Sequence, residues 1–136
     1  MPLMMWNDKM SVGVAEIDAE HKTLVSMLND LYDGVQSGHG KEALGKILDG
    51  LIAYTAGHFQ HEERLFTQTA YPAAAAHKKE HDDLTKQVLD VQAKYKSGAT
   101  GTLSLEVMNF LKNWLVTHIQ GSDKKYGPHL NGKGIR

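Results

Sequence analysis

Four long stretches of this chain carry apolar residues at three- and four-residue spacing, and each stripe is interrupted by ionisable groups. The first runs through His21, Leu24, Leu28, Leu31 and Val35, and the second through Leu44, Leu48, Leu51, Thr55, His58, Glu62 and Leu65. The third carries His77, His81, Leu84, Val88, Val91 and Tyr95, and the fourth Val107, Leu111, Trp114 and His118. That period belongs to amphipathic helices, and no run alternates as a half-buried strand would. The chain is therefore expected to be all-α.

Glycine and proline punctuate the stripes at Gly34 to Gly40, at Tyr71-Pro72, at Ser97 to Gly101 and after Gly121. Helices are expected over roughly 18–37, 41–69, 72–97 and 102–121, with Asp18 as the first N-cap and Pro72 in the first turn of the third. Short breaks between long helices imply an antiparallel up-down-up-down four-helix bundle. The stretch before about Ile17 is aperiodic but contains Trp6, Val12, Val14 and Ile17, and is expected to pack along the bundle as an extended arm. The Gly- and Lys-rich tail from Lys124 to Arg136 is expected to be loosely held. No repeat, linker or second domain is visible, so residues 1–136 are expected to form a single domain.

Several function classes fall away on composition. There is no cysteine, which removes disulfides, thiolate catalysis, zinc fingers and Cys-ligated clusters. A formal net charge of −1, with 23% charged residues, offers no nucleic-acid surface. The N-terminus lacks a basic segment followed by an apolar one, and no stretch approaches the length of a membrane span. A soluble cytoplasmic protein without membrane insertion is the expectation.

What remains is the interruption of the stripes. His77 and His81 stand four apart, as do His58 and Glu62, so each pair shares one helix face and can grip one ion. His21 and His77 come early in their helices, while His58, Glu62 and His118 come late in theirs. Alternating helix directions therefore bring all of them to one end of the bundle. Asp123 follows His118 by five positions, about 140° around an ideal helix. Either the helix end loosens near Gly121, or the aspartate approaches from another side.

Seven ionisable groups left dry and unpaired in one layer would cost more than the net stability of a domain. A metal site accounts for them. Seven ligands exceed the needs of one tetrahedral zinc and suit two adjacent ions sharing carboxylates. Imidazole and carboxylate donors suit iron, with manganese, cobalt or zinc chemically possible. His61 lies about 60° around the helix from His58 and is expected beside the site or at the surface rather than at a metal. Glu63 and Glu80 read as solvated charges, and His39 and His129 lack a partner at ligand spacing.

These motifs resemble the hemerythrins, and among them the single-domain bacteriohemerythrins. The resemblance rests on His21 in Asp18-Ala-Glu-His, on His58-Phe-Gln-His-Glu62, on His77-Lys-Lys-Glu-His81 and on His118-Ile-Gln-Gly-Ser-Asp123. Trp6-Asn7, Ser11-Val12-Gly13 and Trp114-Leu115-Val116 add to it. It implies two iron ions with a bridging oxo or hydroxo group, the carboxylates of Glu62 and Asp123 also bridging. One iron would be held by His77, His81 and His118. The other would be held by His21 and His58, with one position open to dioxygen. Leu115 would line the oxygen pocket beside Trp114.

The implied function is reversible dioxygen binding for transport, storage or delivery, with an oxygen-using protein as possible acceptor. A redox enzyme acting on peroxide or nitric oxide is the rival, as is an oxygen or iron sensor. The lack of a visible signalling or membrane segment leans towards a free carrier. No acid or base stands out near the open position, which leans away from an enzyme.

Overall fold

The structure is a computed structural model that describes residues 4–98 and 103–136. Among these the chain is all-helical, an antiparallel four-helix bundle preceded by an arm and closed by a short fifth helix. The long helices are α1 (Ala15–Gln36), α2 (Gly40–Thr69), α3 (Ala74–Lys96) and α4 (Leu103–Thr117). The chain then passes through a π-helical segment, His118–Asp123, into α5 (Lys124–Gly132). No described helix is long and apolar enough to cross a membrane.

The boundaries differ from expectation for local reasons. Helix α1 begins at Ala15, with Val14 as N-cap, so Asp18 lies within its first turn. The Asp18 carboxylate instead accepts hydrogen bonds from the Ser11 hydroxyl (2.6 Å) and the Val12 N–H (2.9 Å). It thereby fastens the arm to α1. Gly38, at φ 80°, turns the chain out of α1. Helix α2 closes on Ala70 in the left-handed region, and the N–H of Tyr71 returns to the carbonyl of Phe66. That turn occupies Pro72, so α3 starts at Ala74 rather than at 72. The start expected for the fourth helix, at 102, and most of the preceding Ser97–Gly101 break lie outside the described residues.

The C-terminal expectations require correction. No break follows Gly121; the helix widens its pitch there and continues. Nor is the tail loose, because Tyr126 and Leu130 are fully buried against Val12, Val14, Ile17 and Phe66. Asn131 donates to the carbonyls of Gly13 and Ile135, and His129 Nε2 donates to the carbonyl of Thr69 (2.9 Å). Helix α5 and the arm thus form a second, smaller apolar cluster.

The site lies between the two clusters, as each chain segment shows. His21 falls between Ile17 of the small cluster and Leu24 of the main core, and Glu62 between Phe59 and Phe66. His77 and His81 fall between Ala74 and Leu84, and His118 and Asp123 between Leu115 and Tyr126. A polar layer is sealed by hydrocarbon on both sides.

Candidate metal centre

All seven residues singled out in the sequence come together. They are among the most buried polar groups described: Glu62 and Asp123 are 0% exposed, and none of the five histidines exceeds 4%. Their donor atoms form two overlapping groups. One contains Glu62, His77, His81, His118 and Asp123, the other His21, His58, Glu62 and Asp123. Within each group the donor atoms lie within 4.8 Å of one another, and both carboxylates belong to both groups.

Asp123 Oδ1 is 2.8 Å from His77 Nε2 and 2.9 Å from His118 Nε2, while its Oδ2 is 3.0 Å from His21 Nε2. Glu62 Oε1 stands 3.0 Å from His81 Nε2 and 3.6 Å from His58 Nε2. All but the last of these separations are short enough for hydrogen bonds. The alignment is not suited to them: among the described residues, Nε2 of His21, His77, His81 and His118, Oε1 of Glu62 and both oxygens of Asp123 are buried without a hydrogen-bond partner. Buried polar atoms are almost always satisfied. Atoms that converge without pointing at one another are arranged for something between them. Imidazole nitrogens and carboxylate oxygens, two sets sharing their carboxylates, fit a pair of metal ions.

The π-helical segment supplies the geometry that an α-helix could not. Its wider turn brings residues five apart onto one face, so Asp123 returns to the layer beside His118. The helix end loosens, as one of the two sequence alternatives had it.

Electrostatics keep both carboxylates charged. Burial alone would raise the pKa of Glu62, but His77, His81 and His58 overcome it and hold the group down to about 2. Asp123 is likewise held well below its usual range, because His118, His21 and His77 outweigh its burial. Conversely, burial would make His77 less basic, yet Asp123 and Glu62 push it up to about 9. His21 is raised for the same reason, chiefly by Asp123 against its burial.

The surrounding contacts include residues that sequence reasoning missed or misplaced. Glu20 was missed: one carboxylate oxygen lies 2.5 Å from His58 Nδ1 and the other 2.6 Å from His61 Nδ1. Glu63 and Glu80 are not simply solvated. Glu63 lies 3.1 Å from His81 Nδ1, and Glu80 lies 3.4 Å from His118 Nδ1 while accepting a hydrogen bond from Ser122. Fixing the outer nitrogen of a histidine sets its tautomer and aims the inner one. Tyr126 donates its hydroxyl to Glu62 Oε2, a contact made by the tail. A signal was present in the sequence. Glu20, Glu63 and Glu80 each adjoin a layer residue on their own helix and face a histidine further along the chain, on α2, on α3 and in the π-helical segment respectively.

Apolar rings complete the walls, with Phe59 stacked on His81 at 3.8 Å and Trp114 on His118 at 4.3 Å. Trp114 and Leu115 also line a cavity of about 30 Å³, together with Leu24, Leu28, Thr55 and other core residues. Leu24 follows His21 by one turn, while Thr55 and Leu115 precede His58 and His118 by one turn. The cavity therefore begins about one turn below the polar layer.

Residues 12–130 match the family described as "Hemerythrin HHE cation binding domain". The chain is 39% identical over 132 residues to the bacteriohemerythrin of Methylococcus capsulatus, covering 96% of this chain and 99% of that one. It is 34% identical over 135 residues to the bacteriohemerythrin of Stenotrophomonas maltophilia, covering 96% and 86% respectively. A crystal structure of wild-type hemerythrin superposes with a TM-score of 0.83 at 37% identity, over 94% of this chain and 98% of that one. With the polar layer wholly inside the matched span, and the backbone around it shared, this chain belongs to the hemerythrin family.

Proposed function

We propose that the chain binds dioxygen reversibly at a non-haem di-iron centre held by His21, His58, Glu62, His77, His81, His118 and Asp123. The observation that carries this reading is the inequality of the two donor groups. Both share the carboxylates, but one has three histidines and the other two, so an ion held by the smaller group would have fewer protein ligands and room for dioxygen. Bound at these residues, a pair of ferrous ions supplies two electrons that dioxygen can borrow and return.

The chain's own residues serve that exchange. Glu62 and Asp123 are held ionised, ready to bridge. Leu115 and Trp114 line the apolar cavity and would keep water from a bound ligand. Among the described residues the cavity lining holds no carboxyl or imidazole, and its one hydroxyl, that of Thr55, donates to the carbonyl of Leu51. A dry lining withholds the protons that would drive reduced oxygen off irreversibly, which favours binding over turnover. We assign the protein to oxygen transport, storage or delivery in the cytoplasm, with an oxygen-using protein as acceptor.

The test is spectroscopic. Iron-loaded protein is reduced without oxygen, exposed to air and then purged. A charge-transfer band that appears with oxygen and disappears on purging supports reversible binding. Direct, lasting conversion to the ferric form would point to redox enzymology or sensing instead.

A further inference from the structure

The two donor groups differ in how their histidines are held from behind. In the larger group Glu63 stands on His81, while Glu80 lies 3.4 Å from His118 Nδ1 without a hydrogen bond to it. In the smaller group, His21 Nδ1 is buried with no hydrogen-bond partner among the described residues. Its only backed histidine is His58, through Glu20.

Glu20 is itself fixed from a second side. Its other oxygen meets His61 Nδ1 at 2.6 Å, and His61 Nε2 reaches within 3.5 Å of the exposed Glu16 carboxylate. A carboxylate can only accept, so both Nδ1 atoms carry their protons towards Glu20. His58 is thereby fixed with the Nε2 lone pair facing the layer. His61 sits one turn before the small-cluster residue Leu65 on α2, and Glu20 is on α1, so the three groups join two helices at the rim of the site.

We propose that Glu20 and His61 form a positioning pair dedicated to the metal at His21 and His58, with Glu20 orienting His58 and His61 fixing Glu20. This rests on the two-metal reading above. Without His61, the Glu20 side chain is free to rotate away from His58. Without Glu20, the smaller donor group has no histidine braced from behind among the described residues, whereas the larger keeps Glu63 on His81. The pair therefore acts on one metal and not on the other.

The experiment compares wild type, Glu20→Gln, His61→Ala and His61→Asn, the last retaining a side-chain N–H near the Nδ1 position. Anaerobic ferrous titration against a competing chelator gives the affinity of each ion. Glu20→Gln is expected to weaken one ion about 10- to 100-fold and leave the other unchanged. His61→Ala is expected to weaken the same ion about 3- to 10-fold, and His61→Asn to restore it. Equal weakening of both ions, or no rescue by Asn, would overturn the proposal.

The ¹⁵N-labelled metal-free protein provides a reading independent of iron. The hydrogen-bonded Nδ1–H of His58 should resonate far downfield in wild type and lose that shift in Glu20→Ala, which removes the acceptor that Gln would keep. If the shift survives in Glu20→Ala, Glu20 does not hold His58 and the proposal fails. If the shift is lost but wild type never takes up two ions, the clamp stands and the di-iron reading fails.

Discussion

His118 and Asp123 are five residues apart, yet Nε2 of the one lies 2.9 Å from Oδ1 of the other. The π-helical winding between them makes this possible, and it also carries Tyr126 to Glu62 one turn later. A local change of pitch thus delivers one candidate ligand and the hydrogen-bond partner of another. Functional sites are where such π segments concentrate.

His77→Ala removes a donor shared by contacts to both carboxylates and should lower metal content at limiting iron, with affinity falling at least tenfold. His39→Ala, in the turn between α1 and α2, should retain the wild-type content. Elemental analysis of the two variants after identical loading checks the pair. Retained metal in His77→Ala would remove it from the ligand set.

Tyr126→Phe deletes the hydroxyl that satisfies Glu62 Oε2 in a fully buried setting. Leaving that oxygen unpaired should cost the metal-free protein about 1–3 kcal/mol, seen as a lower urea midpoint with unchanged slope. An unchanged midpoint would mean that the bond contributes nothing to the fold.

Two glycines should respond oppositely to alanine. A Cβ at Gly57 meets nothing within 4 Å, so Gly57→Ala should stabilise by up to about 1 kcal/mol through helix propensity. A Cβ at Gly127 would stand 2.1 Å from the carbonyl oxygen of Val12, so Gly127→Ala should destabilise by about 1–3 kcal/mol and loosen the arm. Thermal unfolding of both variants decides. Close helix contact exists at Gly45, whose added Cβ would meet the Tyr95 side chain, and not at Gly57.

Metal uptake should release protons. His77 is pushed up to about 9, so at pH 7 the metal-free protein holds a proton there that an ion must displace. Affinity should therefore rise as pH rises towards 9, and weakly buffered solutions should acidify on loading. The same shift stabilises the metal-free fold fully below the ordinary value of 6.5. That contribution is lost as pH climbs through about 9. Urea midpoints at pH 6.5 and 9.5 check the sign, and a midpoint that rises across that interval would contradict it.

Much of this was legible in the sequence because two regular patterns coincide. The three-and-four apolar spacing gives the helices, and polar residues on that same stripe, four apart, give the layer. Asp123 was legible as a candidate, while its route into the layer was left open, since a change of helical pitch leaves no compositional mark. Helix α5 was missed because Gly127 and Pro128 punctuate it and only Tyr126 and Leu130 carry its buried face. The roles of Glu20, Glu63 and Glu80 were missed because each acts across a helix interface. Only their positions beside layer residues hinted at them.

The central claim is that one polar layer holds two metal ions through shared carboxylates. A crystal structure of the iron-loaded protein, with anomalous data at the iron edge, tests it most directly. The account predicts two peaks, both in contact with Glu62 and Asp123, one bound by His77, His81 and His118 and the other by His21 and His58. A single peak, or a second one away from the two carboxylates, would contradict it.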